Sequence, residues 1–179
     1  MNKKKDYEYY EETSKGYEEL HGEEQRRKLT TIKNNLTQEF HNVLDIGAGT
    51  GISTEFFNNV TCLEPSKKML QEGLKKRKFE TINDYAENLE KYTKENQYDL
   101  ILCVTVIHHF HDLNKVLQEI KKTAKKEATI IITMLKKARN TEELIKKITK
   151  SFTLKKQIED PTDIILFLEN NETNNELAE

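Results

Sequence analysis

The 179 residues carry 29 Lys/Arg against 31 Asp/Glu, a formal charge of −2, which leaves room for one domain with a real core and gives no global field of the nucleic-acid-binding or membrane-surface kind. No apolar segment follows MNKKKDYEYYEE and no apolar run approaches the roughly 18 residues of a membrane span, so neither a signal peptide nor a membrane helix is expected. Cys62 and Cys103 each lie inside an apolar run, which suits reduced core thiols and a cytoplasmic setting.

In chain order, residues 1–40 hold helix-like segments with Tyr7, Tyr9, Tyr10 and Tyr17 but no strand signal, and read as an N-terminal helical cap on a domain spanning 41–170. The first strand is expected at 42–47, followed by a glycine turn and a helix start, and the second at 59–64. Pro65-Ser66 opens a helix over 66–78 whose apolar stripe is Met69, Leu70 and Leu74. Strands at 80–84 and 98–106 come next, and Asp112 caps a helix over 113–126 with Val116, Leu117 and Ile120 on one face. A strand at 128–135 precedes two strand-like runs, 151–160 and 162–170, separated only around Pro161, a hairpin spacing that makes the last two strands antiparallel. The tail 171–179 reads as disordered. Alternating strands and helices define an α/β domain.

Charge is unevenly spread: 115–156 holds 13 Lys/Arg against 4 acids, and 157–179 holds 7 acids and no base. The pairs Lys121-Lys122, Lys125-Lys126 and Lys146-Lys147 are expected on polar helix sides, and no aromatics interleave with them as stacking on single strands requires, so specific nucleic-acid recognition is the less favoured reading.

The stretch VLDIGAGTGIS places three of the chain's six glycines between 47 and 51. At the carboxyl edge of a parallel sheet such a turn lets a nucleotide-like ligand rest on bare backbone. A pyrophosphate dinucleotide is the first candidate, but its fingerprint is G-x-G-x-x-G with an acid roughly 20 residues on. Here the spacing is G-x-G-x-G, and Glu64, the acid ending the second strand, stands 17 residues after Gly47. A carboxylate there accepts bonds from the vicinal hydroxyls of any unphosphorylated ribose, so the glycine pattern alone leaves the nucleotide open.

The sequence resembles the class I S-adenosylmethionine-dependent methyltransferases over about 40–170, through VLDIGAGTG, CLEPS, NDYAENL and YDLILCVTVIHHF in that order, followed by the terminal hairpin. The resemblance implies a Rossmann-like seven-stranded sheet, mostly parallel with an antiparallel last strand, helices on both faces, and S-adenosyl-L-methionine as cofactor. It implies that Asp45 orients the methionyl amino group, that Gly47, Ala48, Gly49 and Gly51 line the backbone cradle, and that Glu64 holds the ribose hydroxyls. It further implies that Ala86 and Glu87 lie beside the adenine and that Val104, Thr105 and the residues to His108 close the methionyl side. YYEETSKGYEELHG resembles the tyrosine-containing N-terminal helix of the small-molecule and ubiquinone-biosynthesis branch, where Tyr10 or Tyr17 covers the methionyl group. The sequence departs from the family where Gly-Asp-Ala is usual: Asp84 and Tyr85 compete for the adenine-facing position. The turn before the fifth strand reads KKEAT where the family usually has glycines.

Plainer readings stand beside these. Gly51 serves as a packing glycine, Asp45 and Glu64 as caps, and the tyrosines as core contacts of an amphipathic helix. His108 and His109 invite a proton-transfer role, with His108, nearer the strand end, preferred as the catalytic candidate. Yet a sulfonium is already an activated leaving group, and positioning alone supplies effective molarities of about 10⁵ M or more. No metal site is expected in HHFH, because adjacent histidines on one segment do not converge. A small-molecule acceptor is the favoured reading. An RNA or protein methyltransferase with a partner subunit, and a non-catalytic cofactor-binding scaffold, are the alternatives.

Overall fold

The computed structural model describes residues 3–138 and 140–171, for 3–7 the backbone alone, so the disorder expected for 171–179 falls, beyond Asn171, outside the described residues. Two helices, α1 (Lys3–Thr13) and α2 (Tyr17–Asn34), precede the sheet. The strands are β1 (Val43–Ile46), β2 (Val60–Leu63), β3 (Glu80–Ile82), β4 (Tyr98–Cys103), β5 (Ala124–Leu135), β6 (Thr153–Glu159) and β7 (Asp163–Glu169). They form one seven-stranded sheet in the order β3-β2-β1-β4-β5-β7-β6, with β7 antiparallel to both neighbours and the pairings among β1 to β5 parallel. Helices α3 (Lys67–Leu74), α4 (Leu113–Thr123) and α5 (Thr141–Ser151) connect strands.

Side-chain alternation along the strands builds two cores. Leu44, Ile46, Ile101, Cys103, Ile130 and Ile132 point to the face covered by α4, α5 and the 3₁₀ turn Ala86–Lys91, through Val116, Ile120, Ile148 and Leu89. Val43, Cys62, Leu100, Leu102 and Ile131 point to the opposite face, covered by Leu29 and Ile32 of α2, Ile52, Phe57 and Leu70 of α3. Each fully buried aliphatic side chain of this kind contributes about 1.5–3 kcal/mol. The two expected caps form: Ser66 Oγ accepts the Met69 N–H at 3.2 Å, and Asp112 Oδ1 accepts the Lys115 N–H at 3.1 Å.

Three local expectations are corrected. After the glycine turn the chain makes only the 3₁₀ turn Ile52–Glu55, not the start of an α-helix. Its exit at Phe57 must reach β2 at Val60, with Asn59 at φ 52° closing the turn, and that leaves no length for further helical turns. α4 ends at Thr123 rather than 126, and β5 begins at Ala124. Lys125-Lys126 therefore lies on a strand, with Lys125 Nζ 3.1 Å from Asp99, and Glu127 takes the left-handed φ of 60° within β5, where its register against β4 shifts. The Asn170 side-chain amide steadies the start of β5, its two protons shared among the carbonyls of Lys121, Ala124 and Lys125. Finally, β3 stops at Ile82 and β4 at Cys103, so residues 83–84 and 104–106 become loop at the carboxyl edge.

Candidate functional site

These loops converge on a cavity of about 350 Å³ at the carboxyl edge, over the ends of β1, β2 and β4. Its floor takes Ile46, Gly47 and Gly49 from the first strand and turn, Leu63 and Glu64 from the second, and Val104, Thr105 and Val106 from the end of β4. Ligand pockets are commonly of this size or larger and mostly apolar with a few placed polar groups.

Gly47 holds φ 71°, and a Cβ there would stand 2.3 Å from Val106 Cγ2, so only glycine lets the 104–106 loop close against the turn. Gly51, at φ 72°, is not among the cavity-lining residues; a Cβ on it would meet the Phe79 ring at 2.8 Å. Ala48 and Asp45 line a smaller adjoining cavity of about 40 Å³ with Thr50 and Ser53. Asp45 is buried, accepts the Ser53 hydroxyl at 2.5 Å, and burial pushes its carboxyl up to about 7.

Glu64 lines the main cavity yet is only 7% exposed. Its Oε2 accepts the Gly49 N–H at 3.0 Å and its Oε1 the Ser66 N–H at 2.8 Å, so it clasps the glycine turn to the start of α3. Burial pushes this carboxyl up to about 7 against the pull of both amides. Cys62 and Cys103 sit in the cores with their thiols pushed up by burial, which suits structural cysteines rather than nucleophiles.

In the segment after β3, Tyr85, Ala86 and Glu87 line the cavity and Asp84 does not. Asp84 instead accepts from the Tyr85 N–H, Asn88 Nδ2 and the Tyr92 hydroxyl at 2.7–2.8 Å, tying down the 3₁₀ turn that follows. Glu87 accepts the N–H groups of His111 and Asp112 at 2.5 and 3.1 Å, which fixes the loop before α4 as an adjoining wall.

The opposite wall comes from α1 and α2. Tyr17, His21, Glu24 and Gln25 fall on one helical stripe of α2 and all face the cavity, joined by Tyr9 and Tyr10 of α1. Tyr10 and Tyr17 rings lie 6.2 Å apart at 64°. Glu11 anchors α1 to the start of α3, accepting the Ser66 hydroxyl at 2.6 Å and the Lys68 N–H at 3.3 Å, a favourable place for an acid beside a helix N-terminus.

His108, the sequence-preferred catalytic candidate, does not line this cavity; His109 does. The two share the 3₁₀ turn Ile107–His109, where successive side chains are about 120° apart, so only one of them faces inward. Among the described residues the buried His108 Nε2 has no hydrogen-bond partner, and burial holds its imidazole below the usual histidine range. The His109 ring stands edge-on to Tyr10, with Nε2 3.3 Å from the Tyr10 hydroxyl.

Sequence reasoning missed His109 as the inward histidine, the α2 stripe below Tyr17, and Met69, His111 and Leu135, all lining the cavity. The spacing of residues 17, 21, 24 and 25 was the available signal for the stripe. A sulfonium nucleoside fits this donor and acceptor set. Glu64 faces the cavity with acceptor capacity beyond its two amide bonds, Ala86 and Leu63 offer apolar surface to a base, and tyrosine faces attract a sulfonium as they attract an ammonium.

A family model described as "Methyltransferase domain" matches residues 44–132, from β1 through the core of β5. Among solved structures, the fold resembles the N-methyltransferase NodS from Bradyrhizobium japonicum WM9 in complex with S-adenosyl-L-homocysteine, at 13% identity over 97% of this chain and 100% of that one, TM-score 0.72. It also resembles the methyltransferase in the complex with the Haloferax volcanii Trm112 methyltransferase activator, at 12% identity over 90% and 97%, TM-score 0.73. A SAM-dependent methyltransferase from Thermotoga maritima is similar at 20% identity over 87% and 98%, TM-score 0.67. At such identities these likenesses are statements about fold. A search of the curated proteins finds no relative.

Proposed function

Because the chain belongs to the class I S-adenosylmethionine-dependent methyltransferases, we propose that it moves the cofactor's methyl to a nucleophilic atom of a small-molecule acceptor. The observation that carries the reading is convergence: Gly47, Gly49, Glu64, Tyr85, Ala86, Glu87 and 104–106, far apart in sequence, line one cavity beneath a tyrosine-bearing helical wall. The cofactor supplies an electrophilic methyl on a sulfonium that leaves as a neutral thioether.

The protein's part is binding and alignment. Glu64 takes the ribose hydroxyls on its remaining lone pairs, Ala86 with Tyr85 and Glu87 borders the base, and Asp45, beside the turn, holds the amino group directly or through water. Gly47, Ala48 and Gly49 supply the backbone floor, with Gly51 setting the turn's far side against Phe79. Tyr10 and Tyr17 line the methionyl side, and 104–106 closes it. His109 Nε2, within reach of the Tyr10 hydroxyl, is the group placed to take a proton from an acceptor O–H or N–H.

A small acceptor is supported by the wall that α1 and α2 build over the cavity, and by the state of the basic segment. Lys115, Lys122, Lys125, Lys136, Lys147 and Lys155 pair with Glu90, Glu119, Asp99, Glu159, Glu143 and Glu169, which leaves less positive field for a phosphate backbone. Among the described residues no helix is long and apolar enough to cross a membrane, and the buried thiols support a cytoplasmic setting. The test is incubation of the purified protein with methyl-labelled cofactor and fractionated cell extract. Label in the low-molecular-weight fraction supports the proposal, and label confined to RNA or protein overturns it.

A further inference from the structure

Lys28 of α2 is wholly buried, an arrangement that costs an ammonium most of its hydration and persists only with saturated partners. Its three protons meet three acceptors: Glu24 Oε1 at 2.6 Å, Asp163 Oδ1 at 2.8 Å and Thr105 Oγ1 at 2.9 Å. Asp163, the first residue of β7, is equally buried. Its Oδ2 accepts the hydroxyls of Thr105 at 2.8 Å and Thr133 at 3.0 Å, and its Oδ1 that of Thr162 at 2.8 Å. The Thr133 hydroxyl in turn accepts the Thr105 N–H at 2.8 Å. The three ammonium protons of Lys28 and the hydroxyl protons of Thr105, Thr133 and Thr162 thus all have an acceptor within the cluster.

The shared member is Thr105, and its backbone is unusual. At φ 58° it occupies the left-handed region, which a β-branched residue disfavours. It is held at both ends of its freedom, the N–H by Thr133 and the hydroxyl between Lys28 and Asp163. Thr105 also lines the main cavity between Val104 and Val106, and Val106 fills the space that Gly47 leaves open. The chain's course at Thr105 thus decides where that wall stands against the glycine turn.

We propose that Lys28 and Asp163 are positioning residues: the buried pair holds Thr105 in its left-handed conformation and so sets the 104–106 wall of the cavity, fixing it to the α2 wall that carries Tyr17, His21 and Glu24. The inference rests on the cavity being the cofactor site. A buried ion pair is often matched in stability by apolar residues of similar volume, so its presence is not by itself evidence of a stabilising role.

The test separates holding Thr105 from holding the fold together. In Lys28→Met/Asp163→Asn both charges leave together while the volumes stay similar, and the melting temperature and the S-adenosylhomocysteine affinity are measured side by side. A folded variant with at least tenfold weaker binding is expected. Adding Thr105→Gly, which adopts φ near 60° without strain, is expected to recover most of that loss although the ion pair stays absent. Binding within threefold of wild type in the double variant, or no recovery in the triple, overturns the proposal. Should the double variant fail to fold, Thr133→Val, which removes only the hydroxyl bridging Asp163 and the Thr105 N–H, carries the same expectation of weaker binding recovered by Thr105→Gly, and unchanged binding overturns it. Wild type failing to bind S-adenosylhomocysteine would sink the cofactor reading itself, whereas wild-type binding with indifferent variants sinks only the role of the pair.

Discussion

Replacing Glu64 by glutamine removes one charge from a buried carboxylate while keeping its shape. The carboxylate has about four lone-pair positions. Two are used by the Gly49 and Ser66 amides at 3.0 and 2.8 Å, and the rest are available to donors in the cavity. In Glu64→Gln the carbonyl oxygen keeps one amide, and the new NH₂ turns a donor toward either the other amide or the ligand's hydroxyls. At pH 8, where the carboxyl is ionised, at least one hydrogen bond to a charged group is lost, about 1.5–3 kcal/mol, which at 1.4 kcal/mol per decade is a roughly 10- to 150-fold weaker affinity for S-adenosylhomocysteine by calorimetry. The fold is expected to tolerate the change, because losing one amide bond is offset by removing a charge that burial already disfavours. Urea unfolding at pH 8 should shift by under about 1.5 kcal/mol. A folded variant binding within threefold of wild type would refute the reasoning and leave Glu64 as a clasp between two amides.

Burial pushes both Asp45 and Glu64 up to about 7, so between their unfolded values near 4 and pH 7 the native state holds protons that the unfolded chain has released. Without cofactor, unfolding free energy should therefore fall as pH rises through that window, by at most about 1.4 kcal/mol per unit and group, with the lowered imidazole of His108 opposing in part; urea titrations from pH 5 to 8 showing a steady rise would contradict this. Gly47→Ala, adding a Cβ 2.3 Å from Val106 Cγ2 at φ 71°, is expected to cost about 2–4 kcal/mol in urea unfolding. Val106→Ala in the same chain should restore part of that, and an unchanged midpoint in Gly47→Ala would show that the loop gives way. His109→Ala should lower labelled methyl transfer at least tenfold while S-adenosylhomocysteine affinity stays within threefold, and full activity would remove any proton-transfer role.

What was legible in the sequence was what local pattern dictates. Short apolar or strand-like runs marked the strands, Ser66 and Asp112 announced their helices, and the two runs around Pro161 gave the reversed strand pair. Glu64 was legible because it closes a buried strand directly before a helix start. Less legible was anything decided by room or by distant partners. The helix expected after Gly51 shrank to a 3₁₀ turn because β2 begins too soon, and the choice between His108 and His109 turned on the phase of a three-residue turn. Asp84 was drawn away from the cavity by Asn88 and Tyr92, which leaves Tyr85 facing in. Lys28 and Asp163 carry no local signal at all: their burial comes from meeting each other and Thr105 across three elements.

The most direct measurement is calorimetry of the purified protein with S-adenosylhomocysteine and, separately, NAD. One-to-one binding of the nucleoside with no heat from NAD is the expected result, because Glu64, directly after β2, comes too early for the dinucleotide spacing and a tyrosine-bearing helical wall stands over the cavity. Tight binding of NAD with no response to S-adenosylhomocysteine would contradict the cofactor assignment and everything built on it.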